Sequence, residues 1–161
     1  LLSGEFDVKV FFHPKGNFNS LGANLVAAKI DEYGHARVTE CSAFYDAGAV
    51  MNPAMVESQV AGGSTQAIGQ VLSEGASYSA EGQPLVGTIA DAGVLTSTEV
   101  PRFKVLTATS RSEAPHGAKG VGESPAIGVP PALVRALERT LGRRLTHTPL
   151  QPQELLGVQG Q

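Results

Sequence analysis

Residues 23–53 read ANLVAAKIDEYGHARVTECSAFYDAGAVMNP, and the fold class turns on this stretch. Apolar residues alternate loosely from Ala23 to Ile30 around Leu25-Val26, Asp31-Glu32-Tyr33-Gly34 is a turn signal, and a second run follows from Ala36 to Tyr45. Gly34 supplies the positive φ that such a turn needs. Val38, Cys41 and the pair Phe44-Tyr45 suit a pleated, half-buried surface, so the segment reads as a β-hairpin. The stretch ends on Asn52-Pro53, a helix start: the Asn side chain can accept from a free backbone N–H, and Pro in the first turn loses no hydrogen bond. The helix is expected to run to about Tyr78, with Val56, Val60, Gly63, Ala67 and Val71 on one stripe.

Working outward, Phe6 to Phe12 is a further candidate strand. Glu81-Gly82-Gln83 is a turn, and strands are expected over Pro84 to Ile89 and Phe103 to Ala108, joined by a Thr/Ser-rich connection. A Gly-rich loop spans His116 to Glu123. Pro130-Pro131 then opens a helix with Leu133, Leu137 and Leu141 four apart and Gly142 as its C-terminal cap. Strand pairs are adjacent in sequence instead of alternating singly with helices, which indicates α+β: β-hairpins packed with a long Gly-containing helix and a C-terminal helix.

The 161 residues carry a formal net charge of −3, are 42% hydrophobic and 6% aromatic, and include one Cys. This fits a single folded unit over residues 1–161, and a chain of this size buries about two thirds of the surface its unfolded form exposes. One Cys precludes an internal disulfide, which fits a reducing, cytoplasmic setting. The weak negative charge argues against a nucleic-acid platform. No apolar stretch approaches the length of a membrane span, and no signal peptide is recognisable after Leu1-Leu2-Ser3-Gly4; the chain is read as a fragment or a separately encoded piece.

Metal ligation by protein side chains is not expected, because His13, His35, His116 and His147 are widely separated and neither CxxC nor HExxH occurs. Cys41 falls in a predicted strand, where a small buried thiol is ordinary. Gly-x-Ser-x-Gly and the phosphate-binding GxxxxGK[ST] are both absent. Two glycine clusters need a reason. Gly62, Gly63 and Gly69 each cost the long helix about 1 kcal/mol relative to Ala, offset either by close packing or by approach of a ligand to the backbone. Lys119-Gly120-Val121-Gly122-Glu123 places a cation, two permissive positions and a carboxylate just before Ser124-Pro125, itself another candidate helix start. Exposed N–H groups there can hold an anionic ligand, and Glu123 beside it can serve as a general base. A solvated surface turn is the plain alternative.

Taken in order, Asp46-Ala47-Gly48, Asn52-Pro53, the run Gln59 to Gly69, Glu99-Val100-Pro101 and Lys119 to Pro125 resemble the C-terminal part of the molybdopterin-binding large subunit of the xanthine dehydrogenase/aldehyde oxidase family, including its carbon monoxide dehydrogenase-like branch. The resemblance runs from about Gly22 to Val158. It implies a molybdenum hydroxylase or dehydrogenase whose metal is held by a pterin, in bacterial members often as the cytosine dinucleotide, and not by side chains. It further implies that Glu123 is the catalytic base, that Gln59 contacts the pterin, that Gly62, Gly63, Ser64, Thr65 and Gln66 lie against the cofactor, and that Gly120, Val121 and Gly122 approach it with Lys119 nearby. Asp46 is read as structural, tying a strand end to the following loop.

Two departures stand out: Arg135 where the family often has Asn, and Asp91-Ala92 in place of a frequent Asp-Tyr. The resemblance also implies partners: the remainder of the large subunit, iron-sulfur and FAD subunits or domains, and a small-molecule substrate drawn from purines, aldehydes, N-heterocycles or carbon monoxide. Without them turnover is not expected, and an exposed apolar face is. The alternative reading is a non-catalytic assembly or interaction module descended from that domain.

Overall fold

A computed structural model describes residues 9–11, 13, 16 and 18–157. Most of the candidate strand Phe6 to Phe12 lies outside these. A three-stranded sheet has the order β1 (Gly22–Ile30), β2 (Ala36–Asp46), β3 (Arg102–Ala108), and the main helices are α1 (Pro53–Leu72) and α2 (Ser124–Leu141), with a short α3 (Pro152–Leu155). The architecture is α+β, as expected from the sequence.

The hairpin forms where local chemistry asks for it. β1 and β2 pair antiparallel from Gly22 opposite Tyr45 to Ile30 opposite Ala36, with an irregularity between Ala27 and Ala28. In the turn, Asp31 Oδ1 accepts from the N–H groups of Tyr33 (2.9 Å) and His35 (2.8 Å). Gly34 has φ +83°, and a Cβ there would collide with the Pro152 carbonyl of α3, so this position is closed to other residues twice over.

β3 joins β2 in parallel, with Cys41 opposite Phe103 and Asp46 opposite Ala108. The expected second hairpin is therefore absent among the described residues. Pro84 to Ile89 is not a strand: its one ladder contact is an isolated bridge from Pro84 to Tyr78, and Leu85 and Ile89 are exposed. With no neighbouring strand to receive them, these residues turn instead, and Asp91 gathers the N–H groups of Gly87 and Thr88. The link from β2 to β3 contains α1, the kind of long crossover a parallel pair requires.

α1 starts as expected, with Asn52 Oδ1 accepting from Met55 N at 3.1 Å. It ends at Leu72, six residues before Tyr78. The Gly69 carbonyl accepts from both Ser73 N and Glu74 N, and Ser73 Oγ donates to the Gly93 carbonyl at 2.6 Å, so a loop distant in sequence draws the chain out of the helix. α2 starts at Ser124 instead of Pro130, and both prolines lie inside it. Their missing N–H groups would reach back to Ala126 and Ile127, which are exposed, so water can serve the freed carbonyls. Gly142 caps the helix at φ +67°, its N–H donating to Glu138 O at 2.9 Å. Arg135, one of the two departures, donates to the buried Glu138 carboxylate at 2.8 Å, which holds that carboxyl below its usual range.

α1 and α2 cover one face of the sheet. The larger core joins Val26, Val38 and Cys41 to Ile68, Val71, Val129, Leu133 and Leu137, closed by Leu150 and Leu155. Leu133→Ala should destabilise by about 2–5 kcal/mol, read as a fall in the denaturant midpoint with an unchanged slope; a loss under about 1 kcal/mol would show that this side chain does not fill the core. A smaller cluster of Ala43, Tyr45, Ala47, Val60 and Val121 lies beneath the Gly-rich loop. On the outer face of the sheet Leu25, Phe44 and Leu106 are exposed, an apolar strip of the kind expected where further chain packs. No helix among the described residues is long and apolar enough to cross a membrane.

Candidate functional site

Several of the residues singled out from sequence lie along one shelf, formed by the N-terminal half of α1 and the loop before α2. Gln59, Gly62 and Gln66 are exposed and fall at helical spacing on one face of α1. Gly63 faces the loop: a Cβ there would stand 3.1 Å from the Gly122 carbonyl oxygen and 3.3 Å from Pro125 Cγ. From the other side, a Cβ on Gly122 would meet Gln59 Oε1 at 3.6 Å. Helix and loop thus approach backbone to backbone.

The glycines divide by cause. Gly63 is explained by the loop, and Gly69 by Glu74, whose carboxylate occupies the space a side chain would need. Gly62 and Gly120 have nothing within 4 Å of an added Cβ, so no packing within the described residues accounts for them. They keep the shelf bare. Main-chain N–H groups of Gly120, Val121, Gly122 and Glu123 find no acceptor among the described residues, and α2 begins directly after them. Four successive donors without an acceptor among the described residues thus lie beside bare helix backbone, an arrangement open to a ligand that carries acceptor atoms.

Not every expected contact reaches this surface. Ser64 is buried on the sheet side of α1, its hydroxyl without a hydrogen-bond partner within the described residues. The Thr65 hydroxyl donates to the Ala61 carbonyl at 2.9 Å. Val121 turns its side chain into the small core, so only its backbone is available. Lys119 is occupied: its Nζ donates to Asp46 Oδ2 and to Ser110 Oγ, each at 2.6 Å. Glu123 is exposed at the N-terminal end of α2.

Asp46 does more than tie a strand end to its loop. Oδ1 accepts from Gly48 N and Ser110 N, both at 3.1 Å, while Oδ2 takes Lys119 Nζ and the Ser110 hydroxyl, the latter at 2.6 Å. The ammonium of Lys119, first among these donors, holds the carboxyl far below the usual carboxylate range. The segments are also stitched by Lys119 N to Ala47 O at 2.9 Å and Ala49 N to Gly117 O at 2.8 Å. Ser110 is the member that sequence reading missed, since an isolated Ser in a Thr/Ser-rich region carries no signal. Asp46-Ala47-Gly48 did carry one, because an Asp two residues before Gly commonly accepts from that Gly N–H.

A cavity of about 530 Å³ lies elsewhere, between the hairpin turn and the C-terminal end of α1, lined by Lys29, His35, Arg37, Leu72 and Leu155 among others. None of the expected site residues lines it. The bare shelf is the better candidate, because there the free donors, unexplained glycines and carboxylate coincide. No group of three or more His, Cys, Asp or Glu that could hold a metal occurs among the described residues.

Comparison with known proteins bears on the shelf. A family profile described as "molybdopterin cofactor-binding domain" matches residues 4–101, which includes α1 but stops short of the loop. The carbon monoxide dehydrogenase large chain of Afipia carboxidovorans is 32% identical over 129 residues, 79% of this chain and 16% of that one. A probable hypoxanthine oxidase of Escherichia coli is 30% identical over 138 residues, 84% of this chain and 14% of its own length. The crystal structure of quinoline 2-oxidoreductase from Pseudomonas putida superposes with a TM-score of 0.76 at 33% identity, over 83% of this chain and 18% of that one. The chain thus spans less than a fifth of each of these relatives.

Proposed function

Because the chain belongs to the molybdopterin cofactor-binding domain family, we propose that it is the C-terminal portion of a molybdenum oxidoreductase large subunit, forming one wall of the pterin site and carrying the catalytic base. The observation that supports this best is the shelf itself, where Gln59 and Gly63 face a loop whose four N–H donors find no acceptor among the described residues, beside Glu123 and the bare backbone of Gly62.

When bound, the molybdenum–pterin group supplies two-electron redox chemistry and a Lewis acid; the chain supplies the rest. The N–H groups of Gly120 to Glu123 would donate to acceptor atoms of the group. Gln59 would offer its amide to the group, and the bare backbone at Gly62 would let it approach the helix, with Gln66 beyond on the same face and Gly63 seating the loop. Ser64 and Val121 would contribute main chain only, their side chains lying in the interior, and the Thr65 hydroxyl bonds back to Ala61 O. With that group bound to take up the two electrons, Glu123 would accept a proton as a small substrate is hydroxylated with oxygen from water, a role a carboxylate fills within hydrogen-bond reach of an acidified proton. The cytosine dinucleotide form of the cofactor, iron-sulfur and FAD centres in partner chains, and a cytoplasmic location complete this reading. A shelf open on one side needs the remainder of the large subunit to close it, so the chain alone does not turn over.

Gln59→Ala tests the cofactor contact. The side chain is exposed, so folding stability should change by less than about 0.5 kcal/mol, while pterin retention should weaken roughly tenfold, the worth of one good polar contact. The ratio of released pterin to protein after dialysis reads this directly, and unchanged pterin content would remove Gln59 from the site.

A further inference from the structure

Between Lys119 and the start of α2 the chain has few fixed points. Gly120 and Gly122 carry no side chains, the N–H groups of residues 120–123 have no acceptor among the described residues, and Val121 is the one side chain of the loop anchored in a core cluster. What fixes the loop upstream is a polar clasp. Lys119 Nζ and Asp46 Oδ2 are 2.6 Å apart, with side chains only 9% and 10% exposed, and Ser110 bonds to both. Four donors occupy the two oxygens of Asp46, which saturates a carboxylate. The Lys119 ammonium is thereby committed inward and leaves the shelf to backbone donors.

We infer that Asp46, acting through Lys119 and Ser110, is the positioning residue for Glu123: a buried ion pair at the end of β2 sets the place of a carboxylate four residues beyond Lys119. The inference rests on the proposed role of Glu123 as base. Asp46 touches neither substrate nor cofactor. Its function is to transmit the rigidity of β2, the central strand, into a glycine-rich loop that has little of its own. That division explains how the loop can be bare enough to admit a ligand and still hold a catalytic group to the tolerance that chemistry demands, where a displacement of about 1 Å costs on the order of a hundredfold in rate.

The test compares Asp46→Asn, Lys119→Met and the double variant in the cofactor-loaded complex. Each single change leaves a buried group without its counter-charge and should lower the melting temperature; the double variant removes both charges and should recover most of that loss. Positioning predicts that kcat per molybdenum nevertheless stays roughly 10- to 100-fold down in the double variant with KM little changed. Hydrogen exchange at the Lys119 and Ser124 amides, the hydrogen-bonded ends of the loop, should also rise about tenfold over that of α1. If kcat recovers together with melting temperature, the pair is merely structural and the inference is wrong; unchanged exchange at both amides overturns it equally. A single variant that fails to fold leaves the double variant to decide. Full turnover in Glu123→Gln would instead sink the base assignment, while the exchange measurement still reports whether the clasp holds the loop.

Discussion

Replacing Glu123 by Gln should remove most turnover, about 10²- to 10⁴-fold, the range for loss of a positioned general base, while molybdenum and pterin content stay at the level of the unaltered complex. The structure makes the variant clean. Glu123 is exposed, and its side chain makes no hydrogen bond or ion pair among the described residues. Gln is isosteric and breaks nothing that holds α2, so stability should hold within about 0.5 kcal/mol. Steady-state rates normalised to molybdenum read the outcome. Normal rates would take Glu123 out of the mechanism and leave the shelf as a binding surface, the expectation of the assembly-module reading.

Gly48→Ala should give the second large effect, this time on stability. Gly48 sits at φ +60°, where an L side chain costs roughly 1–2 kcal/mol, and an added Cβ would collide with the Gly117 carbonyl oxygen and stand 3.2 Å from Lys119 N. The clash falls on the bridge between Gly48 and Ala118 that seats the loop against the end of β2. Gly82→Ala is the control: its φ is +82° but nothing lies within 4 Å of its added Cβ, so only the backbone strain applies. Chemical denaturation should show Gly48→Ala losing more than about 2 kcal/mol, clearly beyond Gly82→Ala. Equal losses would mean that the bridge is not a fixed part of the site.

What could be read from sequence follows the range of the interactions involved. The hairpin was legible because Asp31 and Gly34 make its turn from within four residues, and Val38 and Cys41 mark its buried face. The start of α1 and the end of α2 were legible for the same reason: Asn52 and Gly142 act on their own helices. The end of α1 was not, because Gly93, twenty residues from Ser73, terminates it. Pro84 to Ile89 has strand composition but no strand beside it, which only the tertiary arrangement decides. Pro130 and Pro131 read as a helix start because proline is usual there, yet an exposed helix face tolerates them further in.

The shelf shows the same division. Glycines marked where backbone is bare, and their order along the chain carried the family resemblance, but Lys119 looked like a cation free for a ligand. Its partner Asp46 is 73 residues away, and Ser110, 64 residues from Asp46, gave no local sign of joining them. Ser64 and Val121 likewise belong to motifs that face the shelf while their own side chains turn to the interior, a distinction that a motif read as a string does not make.

The most direct measurement is molybdenum and released cytosine nucleotide per chain, after the polypeptide is purified from its native host with whatever remains bound to it. Near-stoichiometric metal and nucleotide, in company with a larger chain, is the predicted result. An intact, folded complex containing neither would contradict the account and make Glu123 and its shelf remnants of an ancestral enzyme.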